Sequence, residues 1–273
     1  MSSSVPTISS TSVLKSIGSG SSGNCHVVSY KDTGILIDAG LAGKRITSGI
    51  EQADFDIDKI QGIFITHEHS DHIKGAGIMS RKLDIPIYAN FKTWCGMKDK
   101  IGNIKEENMI VFDNDKTYEL GELKIRPFSI PHDSEDAVGY NIYSDKEKMS
   151  IATDIGYITD NIRNNLKGSK LVVLESNYDP NMLMMGSYTY ALKKRVMSDG
   201  GHLSNEEAAS FCTELVEGGT ESILLAHLSK ENNFPELAYA TTKNVLTKNE
   251  MIIGKDLTLD VLSRDKVSKV YEL

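Results

Sequence analysis

Short apolar runs bounded by polar turns recur along the whole chain. Runs of about four to eight residues that are rich in Val and Ile are typical of β-strands. They predict strands over residues 13–17, 26–30, 34–37, 62–65, 85–88, 123–130, 138–143, 149–152, 170–174, 222–226 and 257–262. The second and third runs are separated by so few residues that we expect them to form a hairpin with its turn near Lys31.

Longer segments between these runs predict helices over residues 73–83, 91–101, 158–166, 181–197 and 205–217. The last is the best defined, because Ser204 and Glu207 have the spacing of a capping box in front of apolar residues at Ala208 and Phe211. Strands and helices are intermixed without strict alternation, which favours sheets covered by helices over a parallel doubly wound sheet. We predict an α/β (α+β) fold with one domain over residues 1–273, of which residues 1–12 form a flexible N terminus.

Composition narrows the class of protein. With 40% hydrophobic and 25% charged residues, the chain of 273 residues has an ordinary globular composition, which excludes intrinsic disorder. No apolar run approaches the roughly 20 residues of a membrane span, and the N terminus lacks the pattern of a secretory signal. The cysteines Cys25, Cys95 and Cys212 do not suggest a disulfide framework, so we expect a cytoplasmic protein.

The formal net charge of −8 argues against a broad basic surface that coats nucleic acid. A local basic patch is still compatible with a polyanionic substrate. The sequence does not indicate the oligomeric state.

The segment Thr66 to His72 carries the strongest chemical signal. His67, His69, Asp71 and His72 follow directly after the predicted strand 62–65. Two histidines two residues apart on an extended segment project to the same side, and a turn after them can bring Asp71 and His72 close by. Imidazole and carboxylate groups are ligands for Zn²⁺, Mn²⁺ and Fe²⁺. The alternative, a solvated turn rich in histidine, fits less well with the apolar strand before it.

Three further polar residues each close an apolar run. They are His132, Asp154 and His227. A single histidine at a strand end is more often a structural residue. Because the ends of adjacent strands meet at one edge of a sheet, however, we expect these three to join the segment from His67 to His72 and to complete two sets of metal ligands.

The order of these motifs along the chain resembles that of the metallo-β-lactamase superfamily. The resemblance implies a four-layer αββα sandwich with two divalent metal ions at one edge. It also implies one metal held by His67, His69 and His132, a second held by Asp71, His72 and His227, Asp154 between them, and Asp38 supporting the ligand turn. The alternative for Asp38 is a residue that only begins the turn before Gly40.

Five shorter motifs are similar to the YycJ/WalJ subgroup of bacterial metal-dependent nucleases. They lie at residues 20–25, 131–134, 153–157, 174–177 and 201–205. The resemblance implies a phosphodiester hydrolase, first of all a 5′-to-3′ exonuclease acting on DNA, in which a hydroxide between two metals is the nucleophile and Asp71 belongs to the catalytic machinery. Zn²⁺ and Mn²⁺ are the expected ions, and Fe²⁺ is also compatible.

Other activities are open at this stage. They are a small-substrate cyclic phosphodiesterase, a ribonuclease and a thioesterase similar to glyoxalase II. A catalytically inactive metal-binding protein is a further alternative, but we expect such a protein to have lost at least one ligand.

Some residues outside the ligand set are candidates for contact with the substrate. His202 precedes the capped helix and is predicted to bind phosphate or to act as a general acid, the alternative being a capping loop. Ser22 and Asn24 lie in a glycine-rich turn and either touch the substrate or only form the turn. The run 193–195, Lys-Lys-Arg, either contacts a polyanion or forms a charged helix face.

Overall fold

Two mixed β-sheets lie at the centre of the computed structural model, which describes residues 11–145 and 147–273. Seven strands of the described chain form the first sheet, in the order β14-β1-β2-β3-β4-β5-β6. They are β1 Val13–Gly18, β2 Cys25–Tyr30, β3 Thr33–Ile37, β4 Ile60–Phe64, β5 Ile87–Asn90, β6 Met109–Phe112 and β14 Tyr271–Glu272.

The second sheet has seven strands within the same described ranges, in the order β13-β12-β11-β10-β9-β8-β7. They are β7 Tyr118–Leu120, β8 Leu123–Ser129, β9 Val138–Ser144, β10 Glu147–Ala152, β11 Leu171–Glu175, β12 Ser222–Ala226 and β13 Thr258–Val261. Strands β10 to β13 are parallel, and β8 runs in the same direction because β9 is antiparallel to both β8 and β10.

Helices cover both outer faces. They are α1 Gly43–Gln52, α2 Ser70–Ile73, α3 Ala76–Leu83, α4 Phe91–Met97, α5 Asp160–Leu166, α6 Pro180–Met185, α7 Tyr190–Val196, α8 Asn205–Glu217 and α9 Pro235–Lys248. One buried cluster, which includes Phe64 and Tyr140, lies between the sheets. A second buried cluster lies between the first sheet and its helices. A third lies between the second sheet and its helices. The predicted αββα sandwich is therefore confirmed. No described helix has the length and hydropathy needed to cross a membrane.

The predicted flexible N terminus falls mainly on residues 1–10, which lie outside the described residues. Ser12 is described, and its carbonyl accepts a hydrogen bond from Leu273 N at 3.0 Å.

Most strand predictions agree with the structure to within two residues, and the predicted hairpin is present with Tyr30 paired to Thr33. Three strands were not predicted, namely β6, β7 and β14. All three lie at or next to a sheet edge and have four residues or fewer, so each is too short to show a period in the sequence.

Two predictions of a single helix are wrong, because each predicted range contains two shorter helices. The prediction over 73–83 meets a break at Gly75, whose N–H bonds to the Ala39 carbonyl at 2.7 Å and so leaves the helix pattern. The prediction over 181–197 is broken at Gly186, which is extended with ψ 173°, and a new helix begins after Thr189.

Helices α1 and α9 were not predicted. Helix α1 contains Gly49 as well as Thr47 and Ser48, which lower its helix propensity, and it forms because Ile46 and Ile50 are buried. In helix α9 a polar residue, Thr242, occupies a buried position between Ala238 and Leu246. The helical period of apolar residues is therefore interrupted in the sequence.

The predicted capping box of helix α8 is present. Ser204 Oγ accepts from Glu207 N at 3.2 Å, and Glu207 Oε2 accepts from Ser204 N at 2.9 Å. We expect Ser204→Ala to lower the free energy of unfolding by about 1 kcal/mol, because the N–H of Glu207 loses its acceptor. Chemical denaturation measures this change. Ser210→Ala, on an exposed position of the same helix, is the control and should not destabilise the protein; equal stability of the two variants would contradict a capping role.

Candidate metal centre

The polar residues that follow six strands meet at one edge of the two sheets. Asp38 follows β3, His67 comes three residues after β4, His132 three after β8, Asp154 two after β10, and Glu175 ends β11. His227 follows β12. Because these strands run in the same direction within each sheet, their carboxyl ends place all of these side chains together.

Three of these residues have left-handed backbone conformations although they are not glycine. They are Asp38, Asp154 and His227, with φ of 58°, 58° and 55°. Each such conformation costs about 1 kcal/mol or more for an ordinary residue. All three are buried. The fold therefore bends the chain sharply at the strand end in order to aim each side chain into the cluster.

The structure brings the seven candidate ligands into overlapping groups. Within each group the potential ligand atoms lie within 4.8 Å of one another, and three of the four groups in the described residues are His67, His69 and His132; Asp71, His72 and His227; and His67, His72 and Asp154. The fourth group joins Asp154 and His227 to Glu175 and His202. Asp71 Oδ2 lies 3.5 Å from Nε2 of both His72 and His227. Asp154 lies between the two sides, with Oδ2 3.3 Å from His72 Nε2 and Oδ1 3.6 Å from His132 Nε2.

Backbone packing fixes the turn that carries Asp71. Asn24 N donates to the Asp71 carbonyl at 2.8 Å, and Ala39 N donates to the His72 carbonyl at 2.8 Å. A Cβ on Gly40 would lie 1.6 Å from the Asp71 carbonyl oxygen, so only glycine permits this close approach. The turn is therefore held against the end of β3.

Hydrogen bonds on the far side of the rings orient several histidines. His72 Nδ1 donates to Asp38 Oδ2 at 2.7 Å, and His132 Nδ1 donates to the Gly201 carbonyl at 3.0 Å. Thr66 holds Asp38 in turn, through its backbone N–H at 2.8 Å and its hydroxyl. These bonds leave Nε2 of His72 and His132 directed to the cluster, which is the arrangement that metal-binding histidines adopt.

The donor set fits a divalent cation. Nε2 of His67 and of His132 is buried and has no hydrogen-bond partner among the described residues, which is costly unless the atom has another function. Burial keeps the pKa of both rings below the ordinary value, so they are neutral and able to bind a metal.

The carboxylates of the cluster favour positive charge. Burial lowers the pKa of His227, but Asp154, Asp71 and Glu175 outweigh burial and raise that pKa to about 10. Burial likewise lowers the pKa of His72, and Asp38, Asp154 and Asp71 raise it well above the ordinary value. The same electrostatics favour a divalent cation, which replaces protons on such ligands.

His202 lies in the cluster beside the ligands. Its Nδ1 donates to Glu175 Oε1 at 2.9 Å, and its ring lines a cavity of about 150 Å³ together with Asp133, Asn177 and Arg195. Burial lowers the pKa of His202, but Glu175 and Asp154 outweigh burial and raise that pKa above the ordinary value. His202 is thus placed to present a positive charge to an anion in the cavity.

The other candidate substrate residues have different positions. Ser22 is exposed, whereas Asn24 is buried, with Oδ1 accepting from Gly20 N at 2.9 Å and Nδ2 lying 3.1 Å from His72 Nε2. In the run 193–195, Lys193 donates to the Met184 carbonyl at 2.6 Å and Arg195 pairs with Asp133. Contact of these residues with a substrate stays a prediction.

Sequence reasoning gave no role to Glu175. It is fully buried and contacts both His202 and His227. It closes the apolar run 171–174 just as the predicted ligands close theirs, so the same pattern could have identified it.

Comparisons with known proteins agree with this geometry. Residues 33–228 match the family described as "Beta-lactamase superfamily domain". A Bacillus anthracis protein named exodeoxyribonuclease YycJ is 39% identical over 239 residues, covering 88% of this chain and 90% of that protein. A Streptococcus pneumoniae protein named exodeoxyribonuclease WalJ is 36% identical over 259 residues, covering 94% and 96%.

A solved structure shows the same fold. The metallo-β-lactamase fold protein YhfI from Bacillus subtilis superimposes with a TM-score of 0.72 at 16% identity, covering 96% of this chain and all of that one. The matched family, the two relatives and the shared architecture lead to one conclusion: the chain belongs to the β-lactamase superfamily, as the resemblance of its motifs implied.

Proposed function

We propose that this protein is a metal-dependent hydrolase of phosphodiester bonds, and specifically a 5′-to-3′ exodeoxyribonuclease that uses two divalent ions. One observation carries the proposal: relatives named exodeoxyribonuclease are 36–39% identical over nearly the whole chain. The seven candidate ligands that meet at one edge of the sheets support it. A thioesterase or a small-substrate phosphodiesterase is not favoured by these relatives. We also place the protein in the cytoplasm, with its three cysteines unpaired.

The ligand groups suggest which residues hold each ion. His67, His69 and His132 would hold one, Asp71, His72 and His227 the other, and Asp154 would contact both. Zn²⁺ and Mn²⁺ both suit histidine and carboxylate ligands, and Fe²⁺ is compatible. When bound, such a pair of ions supplies Lewis-acid stabilisation of the phosphodiester oxygens and a nucleophile that ionises near neutral pH.

The protein's own groups orient these ligands and handle charge. Asp38 accepts a hydrogen bond from Nδ1 of His72, and Glu175 accepts one from Nδ1 of His227, which keeps Nε2 of both rings turned to the cluster. His202 Nδ1 donates a hydrogen bond to Glu175 Oε1, and its Nε2 has no hydrogen-bond partner in the described ranges. Nε2 is therefore the atom from which a proton can pass to the leaving oxygen of the DNA.

The test of the proposal is digestion of linear double-stranded DNA that carries a label at the 5′ or the 3′ end. We expect the purified chain with Mn²⁺ or Zn²⁺ to release the 5′ label first, and EDTA to abolish release. Loss of the 3′ label first would overturn the polarity. Intact DNA with every metal, together with cleavage of RNA or a small phosphodiester, would overturn the choice of DNA.

His202→Ala separates a proton-transfer role from a ligand role. We expect kcat on DNA to fall about a hundredfold, since a positioned general acid contributes at least that much. Elemental analysis should still find the same metal content as in the wild type. Loss of metal in this variant would make His202 a ligand, and an unchanged kcat would exclude it from the reaction.

A further inference from the structure

A second cavity is lined in part by the segment that directly follows the candidate ligand His227. Its volume is about 310 Å³, and its lining includes Leu228, Ser229, Lys230, Phe234 and Arg264. Ser229 also lines the smaller cavity that contains His202. The two cavities therefore share a wall, so that one extended ligand can reach both.

The lining of the second cavity combines an aromatic face with positive charge. Phe234 is 45% exposed, unlike the aromatic residues of the core. Lys230 is exposed and has no ion-pair partner among the residues that the structure describes. Arg264 Nη2 donates to the Leu228 carbonyl at 2.8 Å, while its Nε has no partner in the same described ranges. The carboxylate of Asp265, at the rim, lies 3.7 Å from Arg45.

Backbone contacts connect this cavity rigidly to the site. Ser19 lines the cavity, and its Oγ accepts from His227 N at 3.0 Å. Gly20 brings the neighbouring turn so close to Arg264 that a Cβ would lie 2.9 Å from Nε. The part of the cavity wall that Ser19 and Arg264 form is thus connected through the backbone to the candidate ligand His227.

We propose that this cavity binds a nucleotide of the DNA strand next to the one being cleaved. The base stacks on Phe234, and Lys230 and Arg264 contact the phosphate. The cavity volume lies at the lower end of the range of small-molecule sites, which suits one nucleotide unit. Aromatic stacking with basic contacts is a common mode of single-strand binding, and a local basic patch can attract DNA although the net charge of the chain is −8. This inference rests on the proposed function, because it names a binding position for the same substrate.

The test compares two variants of the cavity with two matched controls. Phe234→Ala and Lys230→Gln change the cavity, whereas Ile252→Ala and Lys248→Gln change an exposed apolar residue and a lysine near the opposite end of α9, about 21 Å along the helix. Binding is measured by fluorescence anisotropy on the metal-loaded full chain, with a single-stranded DNA oligonucleotide made resistant to cleavage by phosphorothioate linkages.

We expect Phe234→Ala to raise Kd about tenfold, as removal of a stacking ring does. Lys230→Gln should make the slope of log Kd against log salt shallower by about 0.7, which corresponds to one phosphate contact. A set of oligonucleotides carries a single abasic nucleotide, each at a different terminal position. At one of these positions the wild type and Phe234→Ala should have equal Kd values, because no base is present to stack on the ring. The two control variants should match the wild type.

Equal Kd values for the wild type and Phe234→Ala would overturn this inference, as would a control variant that weakens binding as much. Failure of the wild type to bind the oligonucleotide would overturn it too. The labelled-DNA digestion is a separate readout: cleavage of DNA with no effect of Phe234→Ala on Kd rejects the cavity alone, whereas intact DNA rejects the proposed function.

Discussion

Replacement of Asp71 by Ala is expected to lower kcat/KM for DNA by about a thousandfold, which is roughly 4 kcal/mol of transition-state stabilisation. Asp71 Oδ2 lies 3.5 Å from Nε2 of both His72 and His227, so its loss removes the only carboxylate of that ligand group. The measurement is steady-state hydrolysis of labelled DNA together with metal content by mass spectrometry. We expect the metal content to fall with the activity.

The fold should survive this substitution. The Asp71 side chain is 23% exposed, and the main contact of the residue with the neighbouring turn is made by its backbone carbonyl, which Ala retains. Asp160→Ala is the matched control, since that carboxylate is 94% exposed and its one ion-pair partner in the described part of the chain is Arg163 on the surface. Full activity of Asp71→Ala would contradict a mechanism with two ions, and unfolding of the variant would be seen by circular dichroism.

The layered fold could be predicted from the chain because its strands carry their own signal. Central strands such as β3 and β12 are continuous apolar runs, and they agree with the prediction to within one residue. Helices depend more on tertiary contacts. Gly75 separates α2 from α3 through a backbone hydrogen bond to Ala39 that no local pattern contains. Gly186 ends α6 in an extended conformation, and helix α1 forms on the burial of Ile46 and Ile50 despite weak propensity.

The residues of the candidate site could be predicted more completely than the boundaries of the helices. Polar residues that close apolar runs are expected at a sheet edge, and this rule, together with the segment from His67 to His72, indicated His132, Asp154 and His227. What could not be predicted is how those residues are held. The left-handed turns at Asp38 and Asp154 arise from contacts between segments far apart in the chain, as does the contact of Glu175 with His202.

Glu175→Gln is expected to lower kcat/KM and metal affinity by about ten- to a hundredfold, because it removes the group that orients two histidines. Glu175 is fully buried and accepts four hydrogen bonds. Its Oε1 accepts from Nδ1 of His202 at 2.9 Å and of His227 at 2.8 Å, and Oε2 accepts from Ile155 N at 2.8 Å and Leu203 N at 3.1 Å. His202 and His227 hold its pKa at about 2 against the opposing effect of burial, so it is ionised when the bonds form.

A glutamine of the same size cannot replace this carboxylate. It has one acceptor oxygen, and its NH₂ group would face two donors, so at least one pair of bonds is lost and the free energy of unfolding falls by about 1–3 kcal/mol. Glu221→Gln is the control, because Glu221 is an exposed carboxylate next to β12 and pairs with Lys170 on the surface. It should change neither metal affinity nor the free energy of unfolding measurably.

Metal titration of the folded fraction separates the orientation of the ligands from stability. If folded Glu175→Gln binds metal and cleaves DNA as the wild type does, Glu175 supports only the packing of β11. Weaker metal binding in the folded fraction shows that its carboxylate sets the ligand geometry.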